Sequence, residues 1–339
     1  MSTSSCRYQS ISTLTTPSPS DRLDGMQLVS LDEIRAAAER IRGAIVRTPL
    51  LPAGWAGARG PLWIKAESLQ PVGAFKVRGA VNAIGRLDED ARARGVVTYS
   101  SGNHAQAVAY AAARYRMAAR VVMPVETPDV KVSATRRYGA EVLLCEPGQR
   151  ETVAARLAAQ TGGVLVPPFD HPDVIAGQGT IGLEIAEELP DVVNVFVPIS
   201  GGGLASGVGT AIKALIPGAR VVGVEPELAA DTAEGLHAGY RVDWSVERRN
   251  RTIADGLRSQ PSELTFAHLQ QVLDEVITVS ESEIRAAVRE LAVCARLISE
   301  PSGATALAGY HSAAATGTSV VILSGGNIEP ALLAEILSQ

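Results

Sequence analysis

The chain has 339 residues, of which 46% are hydrophobic and 20% are charged, and its formal net charge is −5. This length and composition predict a soluble globular protein with a sizeable core, in one large domain or two smaller ones. The negative charge gives no reason to expect nucleic acid or an anionic membrane as a partner. No apolar run reaches the roughly 20 residues that a membrane-spanning helix needs.

The N-terminal segment is rich in Ser, Thr and Pro, and we predict a disordered tail over residues 1–26. The segment has no basic stretch followed by an apolar one, so it is not typical of a secretory signal. The three cysteines, Cys6, Cys145 and Cys294, are isolated and lack the Cys-x-x-Cys spacing of zinc sites. They indicate a reducing compartment, and we expect a cytoplasmic protein without disulfides.

Short apolar strands alternate with alanine-rich helices along the rest of the chain. The first helix begins after Ser30, a good N-cap, and carries apolar residues at helical spacing up to Ile41. In chain order, we then predict strands over residues 95–99, 120–124, 141–144, 192–198, 220–224 and 319–323, and helices over residues 104–115, 130–138, 182–188, from 203 onward, and 281–295. This alternation predicts parallel sheets covered on both faces. Two separate strand–helix sets indicate two α/β domains with a ligand in the cleft between them.

The first segment with a chemical signature spans residues 73–80 (GAFKVRGA). It places Lys76 between small residues and beside the aromatic ring of Phe75. A lysine amine becomes nucleophilic once it loses its proton, and lysine is the usual residue that forms a Schiff base with a cofactor aldehyde. Most lysines are solvated surface charges, so a catalytic Lys76 requires support from other segments.

A second segment, residues 100–107 (SSGNHAQA), lies between a predicted strand and a predicted helix. The start of a helix presents unpaired N–H groups and a partial positive charge, which suit a carboxylate or a phosphate. Alternatively, Ser101 or Asn103 only caps the helix. We expect His104 to be a polar residue of the first helical turn rather than a metal ligand, because no second His or Cys lies at ligand spacing.

A third segment, residues 200–207 (SGGGLASG), also joins a strand to a helix. Three successive glycines can wrap their N–H groups around a phosphate. A dinucleotide-binding loop is one alternative, because Gly201-x-Gly203-x-x-Ser206 is followed by Glu225 about 20 residues later. However, Ser206 replaces the third glycine of that motif, and a nicotinamide cofactor would leave the lysine segment without a role. A plain glycine-rich turn is the other alternative.

A fourth segment, residues 321–327 (VILSGGN), delivers Ser324 at the carboxyl end of a buried strand, where α/β sheets hold their ligands. A serine there can form a hydrogen bond with a ring nitrogen. Unlike an aspartate, it would not hold that nitrogen protonated. The alternative is a turn that merely ends the strand.

Together these segments resemble the pyridoxal-phosphate-dependent serine/threonine dehydratases of fold type II, a family that includes threonine ammonia-lyase and serine racemase. The resemblance runs from about residue 30 to the C-terminus. Its markers, in the family's order, are residues 67–80, 100–107, 168–172, 175–180, 200–203, 252–256, 300–304 and 324–327. The resemblance implies two open twisted α/β sheets with helices on both faces, like those of the tryptophan synthase β-subunit. It also implies a large cofactor-binding domain over residues 27–92 and 169–339, and a small mobile domain over residues 93–168.

The resemblance implies a role for each site residue. Lys76 would hold the cofactor through a Schiff base and then remove the substrate's α-proton, with Phe75 packed beside the cofactor ring. Asn103 would bond the phenolic oxygen of the ring, Ser324 would face its nitrogen, and Glu300 would lie near it. The phosphate would bind backbone N–H groups at Gly201, Gly202, Gly203 and Leu204. The substrate carboxylate would bind the loop formed by Ser100, Ser101, Gly102, Asn103 and His104.

The implied reaction converts a small 3-hydroxy amino acid, L-threonine or L-serine, to a 2-keto acid and ammonia by α-proton abstraction and β-elimination. One alternative is a serine racemase, in which Ser101 would be the second acid–base group. Others are a dehydratase of 3-hydroxyaspartate or of a hydroxyectoine-derived acid, and a catalytically silent carrier of pyridoxal phosphate. Residues 168–172 (PFDHP) favour the dehydratases, because serine racemase has an asparagine where Phe169 stands. Relatives are commonly dimers, so we expect a homodimer.

Two further features follow from the resemblance. Residues 225–231 (EPELAAD) match the stretch where serine racemase binds a divalent cation. Glu225, Asp231 and the carbonyl of Ala229 would be the ligands, and oxygen ligands suit Mg²⁺ or Ca²⁺. A solvated acidic turn is the alternative. Residues 71–73 (PVG) stand where relatives often have Thr or Ser before the glycine, which leaves the preferred amino acid open.

Overall fold

The computed structural model describes residues 27–56 and 59–339, so Cys6 and the tail predicted over residues 1–26 lie outside the described residues. The strands are β1 Leu50–Pro52, β2 Leu62–Ala66, β3 Val96–Tyr99, β4 Ala119–Pro124, β5 Glu141–Cys145, β6 Val164–Leu165, β7 Asn194–Pro198, β8 Arg220–Pro226, β9 Glu275–Val279 and β10 Ser319–Leu323. The helices are α1 Leu31–Ile41, α2 Lys76–Gly85, α3 Glu89–Arg94, α4 Asn103–Arg114, α5 Asp129–Arg137, α6 Arg150–Thr161, α7 Pro172–Glu188, α8 Gly203–Leu215, α9 Asp231–Ala238, α10 Val246–Arg249, α11 Glu263–Val272, α12 Glu281–Glu290, α13 Pro301–Ser312 and α14 Pro330–Ser338. In this part of the chain, no helix is long and apolar enough to cross a membrane.

The strands form two sheets. A six-stranded sheet has the order β1-β2-β10-β7-β8-β9, and a four-stranded sheet has the order β5-β4-β3-β6. Neighbouring strands run parallel, as predicted, except that β1 pairs antiparallel with β2. The connection between β1 and β2 is too short for a crossover helix, so the chain can only return antiparallel at that edge.

Helices cover both faces of each sheet, which confirms the predicted α/β class. On β7, Phe196 joins the core that faces α12 and α13, whereas Val195 and Val197 join the core that faces α7 and α8. On β4, Val121 packs towards α4 and Val122 towards α6. Because both faces are covered, the central strands are continuous apolar runs, and this is why the sequence reveals them.

Helix α7 is longer than predicted: it spans 17 residues, Pro172–Glu188, rather than residues 182–188. Its glycines lower helix propensity, but they allow neighbouring backbones to touch. A Cβ at Gly177 would lie 2.6 Å from the Cα of Gly79 on α2, and a Cβ at Gly207 on α8 would lie 2.5 Å from the backbone N of Gly179. Close packing of α2, α7 and α8 therefore fixes the helix that begins with Lys76.

The helix predicted over residues 281–295 is divided in the structure. The α-helical hydrogen bonds end at Glu290, and a π-helical turn over Leu291–Ala295 completes the element. Arg296 then takes the left-handed conformation, with φ of 60°, and ends it. A residue in this conformation is a common helix terminator.

The two sheets use separate parts of the chain. The strands of the four-stranded sheet lie between residues 96 and 165, and those of the six-stranded sheet lie before residue 67 and after residue 193. The division into residues 27–92 with 169–339 and residues 93–168 stays a prediction, and the strands of the two sheets fall on either side of it. The boundaries and the mobility of the smaller part stay predictions.

Candidate functional site

Lys76 is the first residue of α2, at the carboxyl edge of the six-stranded sheet. The preceding N–H, that of Phe75, donates to the carbonyl of Ser324 at 3.0 Å, so the end of β10 holds the start of α2 in place. Lys76 Nζ donates to the carbonyl of Pro168 at 2.8 Å and lies 5.0 Å from the centre of the Phe75 ring. Burial lowers the pKa of Lys76 from 10.5 to about 8, so its free amine is far more populated near neutral pH than that of an exposed lysine.

A buried ionic network anchors α2 two residues beyond Lys76. The guanidinium of Arg78 donates to both carboxylate oxygens of Glu67 at 2.8 Å and to those of Glu184 at 2.7 and 2.8 Å. Lys65 adds a second cation, 2.6 Å from Glu184. Burial alone would raise the pKa of Glu67, but Arg78, with smaller effects from Thr48 and Lys65, more than offsets burial and holds that pKa below its usual value. Two cations thus balance two carboxylates, and the network ties β2, α2 and α7 together without net charge.

The loop Ser100–His104 lies at the carboxyl end of β3, and α4 begins within it, at Asn103. Ser100 Oγ accepts a hydrogen bond from the N–H of Gly102 at 3.2 Å, which bends the chain into the helix. Ser101 is partly buried. The N–H groups of the first turn of α4 have no partner inside the helix, so this loop can bind an anion, as predicted for the substrate carboxylate.

His104 is buried within this loop. Its Nε2 lies 3.0 Å from the carbonyl of Val166, so Nε2 carries the proton and donates it. Its Nδ1 is buried without a partner among residues 27–56 and 59–339. Burial and, secondarily, the charge of Lys76 lower the pKa of His104 to about 3, so its ring is neutral. His104 lies in the first turn of α4, as predicted, and that it binds no metal stays a prediction.

Asn103 belongs to a hydrogen-bonded cluster that joins α4 to the ends of other elements. Its amide donates to the carboxylate of Glu300 at 2.6 Å and accepts from Asn327 at 2.7 Å. Asn327 also donates to the carbonyl of Val72 at 2.8 Å. Burial and the nearby charge of Asp255 raise the pKa of Glu300 to about 7. The amide of Asn103 is therefore held in one orientation beside the end of β10.

Asn327 was not among the predicted site residues, although it ends the marker at residues 324–327. Its position could have indicated a site residue, because Asn327 lies three residues after Ser324, which the sequence assigns to the site at the end of β10. Glycines make room for the cluster: a Cβ at Gly73, whose φ is +72°, would lie 2.6 Å from Asn327 Oδ1, and a Cβ at Gly325 would lie 3.1 Å from Asn103 Nδ2. Ser324 itself is buried at the base of this cluster.

The glycine loop after β7 forms the start of α8. Gly202, with φ of +84°, is the N-cap, and the helix begins at Gly203. The helical hydrogen bonds of α8 begin at Ser206, whose N–H donates to the carbonyl of Gly202 at 2.8 Å. The earlier N–H groups, including that of the buried Leu204, are thus available to a ligand.

Phe169 packs directly against this loop and was missed as a site residue. A Cβ at Gly201 would overlap the Phe169 ring, and a Cβ at Gly203 would lie 3.0 Å from the Phe169 Cβ. Glycine at these positions leaves room for Phe169, and the N–H groups at the start of α8 without a helical acceptor form a cradle that suits a phosphate. Because Phe169 follows Pro168, whose carbonyl bonds Lys76, one stretch of chain connects the lysine to the cradle.

The predicted cation stretch follows β8. The carboxylate of Glu225 accepts the N–H groups of Thr232 at 3.1 Å and Ala233 at 2.8 Å. Asp231 begins α9, and its Oδ2 is buried without a partner in the part of the chain that the structure describes. Burial and the neighbouring Asp231 raise the pKa of Glu225 to about 8, and burial raises the pKa of Asp231 to about 7. A cation would restore the stabilisation that both carboxylates lose on burial, so these residues fit one.

The third predicted cation ligand is the carbonyl of Ala229, at the end of a 3₁₀ turn over Glu227–Ala229. The described residues contain no group of three or more His, Cys, Asp and Glu side chains that could hold a metal. The predicted set has only two carboxylates and would need a backbone carbonyl and water to complete it.

Comparisons with known proteins agree with this geometry. A family model described as pyridoxal-phosphate dependent enzyme matches residues 41–325. The chain is 38% identical over 314 residues to L-threo-3-hydroxyaspartate ammonia-lyase of Saccharomyces cerevisiae, which covers 90% of this chain and 95% of that protein. It is 42% identical over 304 residues to L-threonine ammonia-lyase of Geobacter sulfurreducens, with 87% and 75% covered. The solved structure of maize serine racemase matches with a TM-score of 0.87 at 36% identity, covering 92% of this chain and 98% of that one.

The matched region holds the lysine at the start of α2, the glycine cradle and the end of β10 through residue 325. A lysine of lowered pKa suits a cofactor aldehyde, and the cradle of N–H groups at the start of α8 suits the cofactor's phosphate. These matches confirm the family resemblance inferred from the sequence, and they confirm fold type II. The chain belongs to the family of pyridoxal-phosphate-dependent enzymes.

Proposed function

We propose that this enzyme is an ammonia-lyase that converts L-threonine or L-serine to a 2-keto acid and ammonia. The observation that carries the proposal is Lys76, whose amine is buried, bonded to the Pro168 carbonyl and shifted to a pKa of about 8. Two of the relatives named above are ammonia-lyases, which favours β-elimination of water followed by hydrolysis that releases ammonia.

Lys76 would have two tasks in this mechanism. It would anchor the cofactor until the amine of the substrate takes its place, and its freed amine would then remove the α-proton of the substrate as general base. Its lowered pKa keeps part of its amine unprotonated near neutral pH, and the carbonyl of Pro168 orients Nζ. When bound, pyridoxal phosphate supplies the electron sink that makes the α-carbon acidic enough for this proton transfer.

The surrounding residues hold and tune the cofactor. The N–H groups at Gly201, Gly202, Gly203 and Leu204 would bind its phosphate, and Phe75 would pack beside its ring. Ser324 would offer a neutral hydroxyl to the ring nitrogen. Unlike a carboxylate, this hydroxyl would not hold that nitrogen protonated, a setting that would favour elimination of water, the β-hydroxyl leaving with one proton.

Asn103 and Glu300 complete the ring's surroundings. In the structure Asn103 bonds to Glu300 and to Asn327. We propose that the amide of Asn103 also reaches the phenolic oxygen of the ring, and that Glu300 acts by fixing that amide. The carboxylate of the substrate binds the loop Ser100–His104, where the neutral His104 adds no charge of its own.

Two alternative activities of this protein are also tested directly. Racemisation is favoured by Ser101, which lies in the loop where a second acid–base group would stand, and by the likeness to maize serine racemase. Elimination from 3-hydroxyaspartate is favoured by the likeness to the yeast enzyme. The Ser101→Ala variant separates the first from the main proposal, because it should abolish racemisation while elimination persists.

The proposal is tested by assaying the purified protein for keto acid and for the opposite enantiomer. The substrates are L- and D-threonine, L- and D-serine and L-threo-3-hydroxyaspartate. We expect keto acid from L-threonine and L-serine, its loss in Lys76→Ala, and normal activity in the control Lys213→Met, whose lysine bonds to Asp274. Full activity in Lys76→Ala would refute the mechanism. Keto acid from 3-hydroxyaspartate alone, a faster racemisation, or cofactor binding without turnover would each assign a different function.

We also propose that Glu225, Asp231 and the Ala229 carbonyl bind Mg²⁺ or Ca²⁺. Chelation followed by dialysis should lower the melting temperature, and added Mg²⁺ should restore it. The Asp231→Asn variant should show neither response, because it lacks one of the two charged ligands. A wild-type melting temperature and activity that ignore both chelation and Mg²⁺ would rule the site out.

We further propose a cytoplasmic homodimer. The free thiols of Cys145, which is buried, and Cys294, which is partly buried, are compatible with a reducing compartment. Light scattering of the purified protein would show twice the mass of one chain, and a single-chain mass at micromolar concentration would contradict the dimer.

A further inference from the structure

An ion pair between Lys131 and Asp255 bridges the two parts of the molecule. Lys131 lies on α5, which follows β4 of the four-stranded sheet. Asp255 begins a 3₁₀ turn, Asp255–Leu257, that packs on α13 beside the six-stranded sheet. Lys131 Nζ lies 2.6 Å from Asp255 Oδ2, and the two side chains are 22% and 41% exposed. The pair therefore lies near the solvent edge of the boundary between the two parts.

This ion pair is close enough to the site to act on it electrostatically. Asp255 raises the pKa of Glu300, and Lys131 opposes that effect. Glu300 in turn accepts the amide of Asn103 at 2.6 Å. Asn103 and Lys131 belong to the part with the four-stranded sheet, whereas Glu300 and Asp255 belong to the other part. Two neighbouring polar contacts thus cross the same boundary, one at the site and one at its edge.

We infer that Lys131 and Asp255 are positioning residues whose ion pair holds the loop Ser100–His104 in register with Lys76 and Glu300. The inference rests on the proposed function, because it assigns these residues to the binding of that substrate. A partly exposed ion pair contributes little to the stability of a single compact body. Between two parts of a molecule, however, even a small free-energy difference changes the population of the arrangement in which Asn103 bonds to Glu300.

Removing the pair should weaken substrate binding more than it slows the chemistry. Lys131 and Asp255 pair with each other rather than with Lys76, and the loop Ser100–His104 belongs to the same part of the chain as α5. We expect Lys131→Met and Asp255→Asn each to raise KM for L-threonine about two- to fivefold, with a smaller change in kcat. Lys131→Arg, which keeps the charge, should stay close to the wild type. The exchanged pair, Lys131→Asp with Asp255→Lys, should recover most of the lost affinity.

A second ion pair provides a matched control. Lys213 Nζ lies 2.6 Å from Asp274, and the side chains are 26% and 34% exposed, but both residues belong to the part with the six-stranded sheet. Lys213→Met should therefore leave KM unchanged. Hydrogen exchange of the holoenzyme adds a readout that does not need turnover: α4 and α5 should exchange faster in Lys131→Met and not in Lys213→Met.

The possible outcomes separate this inference from the proposed function. If Lys131→Met matches Lys213→Met in KM and in exchange, the positioning role is wrong. It is also wrong if the exchanged pair remains as impaired as the single variants. If the wild type turns over neither L-threonine nor L-serine, the proposed function fails, and the exchange of α4 and α5 in the holoenzyme then decides the positioning role by itself.

Discussion

Glu300 is a buried acid whose ionisation should oppose folding. Its pKa is raised from 4.5 to about 7 in the folded protein, while the unfolded chain keeps the ordinary value. Between these values the folded state holds a proton that the unfolded state has released, so stability falls as pH rises through that window. Glu300→Gln cannot ionise, and its amide oxygen can still accept from Asn103. As pH rises from 4.5 to 8, the free energy of unfolding of this variant should increase by up to about 3 kcal/mol relative to that of the wild type.

Urea unfolding of the two cofactor-free proteins at pH 4.5 and pH 8 measures this difference. Glu126→Gln, at an exposed glutamate, is the control and should show no such trend. If the stability difference between Glu300→Gln and the wild type is the same at both pH values, Glu300 is not a buried acid with a raised pKa.

The sequence predicts single site residues more readily than it predicts their partners. Lys76 and Ser324 stand within local patterns of small residues and strand ends, so a short stretch of sequence is enough to propose them. Asn103 forms hydrogen bonds with Glu300, which is 197 residues away in sequence, and with Asn327, which is 224 residues away. No local pattern carries such pairings, and this is why the orientation of Asn103 emerged only in the structure.

Helices α7 and α8 touch through their glycines, and a single methyl group should disturb that contact. A Cβ at Gly207 would overlap the carbonyl of Ile175 and lie 2.5 Å from the backbone N of Gly179. Both obstacles are backbone atoms, so the helices would have to move apart. We expect Gly207→Ala to lower the free energy of unfolding by about 1–3 kcal/mol, measured with urea.

Gly218→Ala is the matched control, because a Cβ there meets no atom within 4 Å. It should change stability by about 1 kcal/mol at most, and in the stabilising direction if it only restricts the unfolded chain. Equal effects at Gly207 and Gly218 would contradict a close contact between α7 and α8.

The Arg78 network should be the most sensitive ionic feature of α2. Arg78→Met leaves the carboxylates of Glu67 and Glu184 buried with only Lys65 to balance them. We expect a loss of about 3–5 kcal/mol in urea unfolding. Arg47→Met is the control, because Arg47 pairs with Glu187 and Glu188 on the surface and should cost about 1 kcal/mol or less.

A double variant keeps the prediction testable if Arg78→Met does not fold. Arg78→Met combined with Glu184→Gln removes one of the unbalanced charges and should regain part of the lost stability. If this double variant is no more stable than Arg78→Met, unbalanced buried charge is not the cause of the loss.

At the scale of elements, sequence patterns predicted β7, β8, β10 and the start of α8, but they missed strands β2 and β9, helix α2 and the first half of α7. Strands β7, β8 and β10 are continuous apolar runs because both faces of their sheet are covered. The first half of α7 was missed because its glycines lower helix propensity, and contact with α2 and α8 outweighs that loss. The helix that begins with Lys76 was missed for the same reason, since Gly79 lies in its second turn.

For the whole molecule, the order of strands and helices predicted two α/β units and a site between them. The sequence could not show how the units meet. On one unit the contacts at the site are made by side chains of α4 and α5. On the other unit they are made by Glu300 at the start of α13, Asp255 in the turn Asp255–Leu257, and Asn327 after β10. These contacts depend on the relative placement of two sheets, which periodicity within a single element does not encode.

Because both units contribute to the site, removal of pyridoxal phosphate should affect both. A ligand present at about 100 times its dissociation constant stabilises the folded state by about 2.7 kcal/mol, so we expect the melting temperature to fall by several degrees without it. Hydrogen exchange should accelerate at the start of α8, where the phosphate cradle lies, and in the loop Ser100–His104 of the other unit. Helix α12 packs on the opposite face of the six-stranded sheet from α8 and serves as the internal control, with unchanged exchange. Acceleration confined to α8 and its neighbours would mean that the smaller unit does not share the cofactor, and the site between the two units would then be wrong.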